Sequence, residues 1–142
     1  MKKAGVLNKE LAGELAGLGH MDEFIICDAG FPVPKDAKRI DLALSKGIPT
    51  FMDTLKAILS EIVAEKIVVA EETRKVSPEL YNTWRDLFKY QEFELIPHAQ
   101  FKERSKNVKF IVRTGEFIPY ANMLIVAASQ AEEFKKNFDI SF

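Results

Sequence analysis

Short apolar runs of strand length recur along this chain, separated by segments of helical periodicity, and that alternation narrows the possible folds more than anything else in it. Phe24-Ile25-Ile26-Cys27 and Ile67-Val68-Val69-Ala70 are uninterrupted apolar runs. A strand covering a core on one face alternates apolar and polar residues, so an unbroken run marks a strand buried on both faces. Glu92 to Ile96, Val108 to Arg113 and Met123 to Ala128 read as further strands, and Arg39 to Leu44 as a short one. Asn8 can cap a helix that carries Leu11, Leu15 and Leu18 and runs through Gly19. Thr50 or Asp53 can cap a second, to about Ala64, with Met52, Leu55, Ile58, Leu59 and Ile62 on one face. Ser77-Pro78 opens a third, to about Tyr90, because proline's missing N–H costs least at the first helical position. Pro97 precedes a short helix over His98 to Ser105, and Ala131 to Phe138 reads as an added one. The expected class is α/β: one three-layer domain over 1–142, with a mixed, largely parallel central sheet flanked by helices. Residues 129–142 are more polar and read as a C-terminal appendage.

Several function classes find no support. The net charge is −1, so neither a nucleic-acid groove nor an anionic membrane is an expected partner. No apolar run reaches the roughly 18 residues of a membrane span. Lys9, Glu10 and Glu14 interrupt what would be the apolar part of a signal peptide, so a cytoplasmic location is expected. Cys27 is the only cysteine, which fits a reducing compartment and reads as a small buried hydrophobe. There is no G-x-G-x-x-G, no G-x-x-x-x-G-K-[ST] and no G-x-S-x-G. Two histidines and one cysteine, widely separated, form no zinc spacing. Neither a metal nor a cofactor is expected.

The candidate residues are all proton-active or hydrogen-bonding. His20 follows the first helix, and its imidazole can give or take a proton near neutral pH; the alternative is a solvated, helix-ending histidine. Asp28 ends the first apolar run and enters the Gly30/Pro32/Pro34 loop, beside the strand ends where open α/β sheets bind ligands. It reads equally as an aspartate that turns the loop through its own backbone contacts. One short segment can thus bring His20 and Asp28 to the same pocket. His98 and Lys102 stand four apart and share a helix face, which without further evidence is a solvated one. Tyr120 and Asn122 point the same way if their segment is extended, and a phenol beside an amide suits hydroxyl groups. The turn Arg113 to Glu116 lies near a site or simply pairs its own charges.

These segments resemble the D-ribose pyranase family, a relative of the fucose mutarotases. The resemblance runs through Gly19-His20, Cys27-Asp28-Ala29-Gly30-Phe31-Pro32-Val33-Pro34, Arg39-Ile40-Asp41-Leu42-Ala43-Leu44, His98-Ala99-Gln100-Phe101-Lys102 and Ile111 to Asn122, in order and register to about residue 128. It implies interconversion of the pyranose and furanose forms of ribose. It also implies His20 as proton donor, with Asp28, His98, Tyr120 and Asn122 as sugar-binding residues and Lys102 as a further member of the site. Rings of five subunits stacked into decamers, with sites near subunit contacts, are implied as well. The chain departs from the family's pattern after Ser129, in a charged tail with Phe134, Phe138 and Phe142. A fucose mutarotase and a non-catalytic sugar-binding module are the competing expectations.

Overall fold

A computed structural model describes residues 1–129, and the expected appendage helix over 131–138 lies outside them. Six strands form one sheet: β1 (Glu23–Cys27), β2 (Arg39–Asp41), β3 (Ala64–Ala70), β4 (Glu92–Ile96), β5 (Ile111–Arg113) and β6 (Met123–Ala127), in the order β2-β5-β1-β6-β3-β4. β5 lies parallel to both β1 and β2, and β4 lies parallel to β3. β6 runs antiparallel to both of its neighbours, β1 and β3. The sheet is therefore mixed and largely parallel, as the alternation predicts. Among the described residues no helix is long and apolar enough to cross a membrane.

Successive residues of β1 point to opposite faces and divide the core in two. Phe24 and Ile26 join a cluster with Ile67, Val69 and Ile125 under α1 (Lys9–Ala16), α2 (Phe51–Leu59) and α4 (Pro78–Leu87). Trp84 of α4 is fully buried there, its ring 4.8 Å from that of Phe51. On the other face Ile25 and Cys27 meet Val68, Ile111, Phe31 and Phe101 beneath α5 (His98–Arg104) and the loop after β1. Each such fully buried large side chain contributes about 1.5–3 kcal/mol. Burial holds the Cys27 thiol far above its ordinary range, in keeping with a core residue.

The differences from expectation lie at boundaries and in one polar helix. α1 stops at Ala16 because Gly17 takes the C-cap, and α2 stops at Leu59 because β3 begins at Ala64. Strands β2 and β5 keep only three residues each. The unforeseen helix is α3 (Glu71–Val76): its residues are nearly all polar and only Thr73 is buried, so it carries no apolar period.

Candidate active site

In a largely parallel sheet the carboxyl ends of the parallel strands share one edge, and that edge gathers most of the candidates. Asp28 follows β1, α3 follows β3, His98 follows β4 as the first residue of α5, and Tyr120 and Asn122 lead into the antiparallel β6. The Asn122 side-chain oxygen accepts the Asp28 backbone N–H at 3.0 Å, across 94 residues of chain. Asp28 Oδ1 accepts the Gly30 N–H at 2.9 Å, the local turn contact foreseen as the alternative role. The loop-turning role and a place in the cluster thus coexist in one carboxylate.

The His98 ring lies edge-on to Tyr120 at 5.0 Å between centroids and edge-on to Phe31 at 6.2 Å. Its backbone N–H donates to Glu72 Oε2 at 2.8 Å, so the acidic first turn of α3 ties down the start of α5. Nδ1 of His98 is buried without a hydrogen-bond partner among the described residues. Lys102 is exposed on the next turn of α5, and its charge reaches His98.

Tyr120 corrects the extended reading of its segment. Its φ is 58°, in the left-handed region, so Tyr120 and Asn122 are not successive same-face residues of a strand. The conformation is over-determined: the Thr73 hydroxyl donates to Tyr120 O at 2.9 Å, and the Ser77 hydroxyl donates to Pro119 O at 2.7 Å. Strained backbone held this firmly clusters at functional sites. The turn before it is also built differently from expectation. Arg113 does not pair with Glu116; it donates to Ala29 O and to both oxygens of Asp41, each at 3.1 Å. Buried Glu116 instead accepts backbone N–H groups of Phe51, Phe117 and Ile118. Between these loops lies a cavity of about 430 Å³ lined by Asp28, Gly30, Arg113, Glu116, Phe117 and Pro119. That volume lies within the range of about 300–1,000 Å³ usual for small-molecule sites.

His20 is the exception. It precedes β1, whereas Asp28 follows it, and five strand residues rising about 3.3 Å each put roughly 16 Å between them. His20 lies with the carboxyl end of β6 and the amino end of β3, where its Nε2 is 3.1 Å from Glu65 Oε2. The expectation that one segment delivers His20 and Asp28 to one pocket fails within a single chain, because the rigid strand between them spans the sheet. Asp28 accordingly does not orient the His20 of its own chain. Glu72 and Glu65, which support His98 and His20, had no signal in the sequence beyond being acidic.

Burial, and then the Lys102 ammonium, hold His98 below its ordinary value of 6.5, against the pull of Glu72 and Asp28. Burial likewise raises Asp28 above 3.8, against the hydrogen bonds of Gly30, Phe31 and Asn122 and the charge of His98. The signs differ for stability. Below 6.5 the unfolded chain takes up the position-98 proton before the native state does, so stability is lost as pH falls through that window. Asp28 acts the other way, its native state holding the extra proton in the window above 3.8. His98→Gln is expected to reduce the fall in urea midpoint between about pH 7.5 and 5.5. An equal fall in the variant and the parent would refute the assignment.

A mixed, largely parallel α/β sheet with a pocket at its carboxyl edge, where Asp28, Arg113 and Glu116 stand among apolar residues, defines a small α/β protein of ligand-binding type. The model of the RbsD / FucU transport protein family matches residues 1–129, and the chain belongs to that family. It is 48% identical to the D-ribose pyranase of Aliivibrio salmonicida, covering 87% of this chain and 95% of that one. It is 46% identical to the D-ribose pyranase of Bacillus cytotoxicus, covering 89% and 97%. The structure of Bacillus subtilis RbsD complexed with D-ribose superposes with a TM-score of 0.88 at 43% identity, over 92% of this chain and all of that one. The fucose mutarotase of Streptococcus pneumoniae, solved with L-fucose, shares the fold at a TM-score of 0.76 and 24% identity, over 92% and 100%.

Proposed function

We propose that this protein is a D-ribose pyranase, an isomerase that interconverts the pyranose and furanose forms of ribose by opening and reclosing the ring. The observation that carries this is the convergence of Asp28, His98, Tyr120 and Asn122 from three separate chain segments on one edge, in a chain alignable almost end to end with D-ribose pyranases. A phenol, an amide, a carboxylate and an imidazole offer both donors and acceptors to a ring of hydroxyls.

In the reaction His20 gives a proton to the ring oxygen as its bond to the anomeric carbon breaks. The anomeric hydroxyl gives up its own proton, to Asp28 or a water beside it, and becomes the aldehyde oxygen. Rotation brings a different hydroxyl to the carbonyl carbon, and the same transfers run backwards to close the new ring. Asp28, His98, Lys102, Tyr120 and Asn122 hold the remaining hydroxyls.

His20 lies too far from the pocket of its own chain, so in this reading a neighbouring copy supplies it. Exposed Leu44, Ile48, Phe117 and Ile118 crowd the loops beside the cavity, an apolar patch suited to a second copy of the chain. We infer a homodecamer built from pentameric rings, and a cytoplasmic location, which suits the free buried thiol of Cys27.

Saturation-transfer NMR of ribose tests the activity. Exchange between the ring forms is expected to accelerate in proportion to added protein, with L-fucose exchange much less affected. Faster exchange of fucose than of ribose would turn the assignment to a mutarotase. Ribose binding by calorimetry without faster exchange would leave a binding module.

A further inference from the structure

We propose that Glu65 is the positioning residue for His20, holding Nε2 of the imidazole so that Nδ1 is the atom turned toward the sugar. This rests on the reading of His20 as proton donor. The geometry is built in the backbone. In the β3–β6 pairing Ala64 faces Ala127 and Lys66 faces Val126, so Glu65 is the extra residue of a β-bulge. Bulges redirect a side chain out of the regular alternation, often beside active sites. Here the redirected carboxylate meets His20 Nε2 at 3.1 Å.

The other half of the pair is held with equal firmness. His20 sits in a turn closed by Asp22 N–H donating to Gly19 O at 3.1 Å, with Gly19 N–H donating to Asp22 Oδ2 at 2.8 Å. Met21 in that turn has a φ of 71°, which a side chain this bulky rarely adopts. Its N–H donates to Ala127 O at 3.0 Å, the same residue that faces Ala64 at the bulge. Two irregular backbone features therefore converge on one histidine and one carboxylate.

Glu65 is not neutralised by its neighbour Lys66, whose ammonium binds Glu94 at 2.7 Å and Glu92 at 3.1 Å. An ionised carboxylate only accepts hydrogen bonds, so neutral His20 must carry its proton on Nε2. The second proton then goes on Nδ1, and that is the proton available to a ring oxygen. A carboxylate that fixes the tautomer and orientation of a catalytic imidazole is a recurrent device of proton-transfer sites.

The nitrogen spectrum of ¹⁵N-histidine-labelled protein is expected to show neutral His20 as the Nε2–H tautomer; an Nδ1–H tautomer would overturn the proposal without recourse to any variant. Glu65→Gln, of equal size, is expected to mix the two tautomers and to lower kcat for ribose exchange about ten- to a hundredfold, with KM changed less than about twofold. Glu65→Asp should recover part of that loss. Added to His20→Ala, Glu65→Gln should cost nothing further, since it acts only through the imidazole. An additive loss, or an unchanged kcat in Glu65→Gln, overturns the positioning role. Full activity in His20→Ala alone would instead remove the reading on which it rests.

Discussion

His20→Ala is expected to lower ribose ring exchange by roughly 10²- to 10⁴-fold, the usual contribution of one positioned acid–base group, while the fold stays intact. The fold should tolerate the change because the His20 side chain is more than half exposed, with Glu65 its polar contact among the described residues. Asp28→Asn is expected to lower exchange at least tenfold by a different route, leaving the Gly30 turn contact in place while removing the charge. The placement of the two residues at opposite ends of β1 makes a sharper forecast. If each site takes His20 from one copy and Asp28 from the next, co-expressed His20→Ala and Asp28→Asn chains will regain activity that neither has alone. Random mixing in equal amounts makes roughly one site in four complete, so about a quarter of the parent rate should return. Mixed oligomers that stay at the level of the single variants would show that both groups serve one pocket within a chain.

Much of this architecture is visible in the amino-acid order. The unbroken runs at Phe24–Cys27 and Ile67–Ala70 can be buried only in a sheet covered on both faces, and they become central strands. The pairing of Asp28 with Asn122 was not visible, because 94 residues separate them and nothing local encodes the contact. His20 and Asp28 are near in sequence but not in space, because an extended strand is the longest way to join two residues. α3 leaves no periodic signal in the sequence because nearly all its residues are polar, yet its Glu72 and Thr73 hold His98 and Tyr120 in place. Backbone irregularities such as the bulge at Glu65 and the left-handed Met21 and Tyr120 have no sequence signature when glycine is absent.

Gly115→Ala is expected to destabilise the fold by about 3 kcal/mol and to dismantle the pocket with it. A Cβ at this position would fall closer than 3.0 Å to Ser45 O, Ile48 O and Ile48 N. All three are backbone atoms, so no side-chain rotation can make room. The 45–49 loop must move instead, breaking the bonds from Gly47 N–H to Gly115 O at 2.6 Å and from Gly115 N–H to Pro49 O at 2.9 Å. The damage would spread through the next residue, since Glu116 caps the start of α2 at Phe51 and holds the N–H groups of Phe117 and Ile118 on the cavity wall. For a chain of this size such a loss corresponds to a fall in Tm of about 10 °C. Gly13→Ala is the matched comparison. It lies inside α1, where an added Cβ meets nothing within 4 Å, and it should stabilise by about 0.5–1 kcal/mol through the helix propensity of alanine. Thermal unfolding of the two variants beside the parent decides the matter, with ribose exchange followed in parallel. If Gly115→Ala melts within a degree or two of the parent and keeps its exchange rate, the close approach of these loops does not support the pocket.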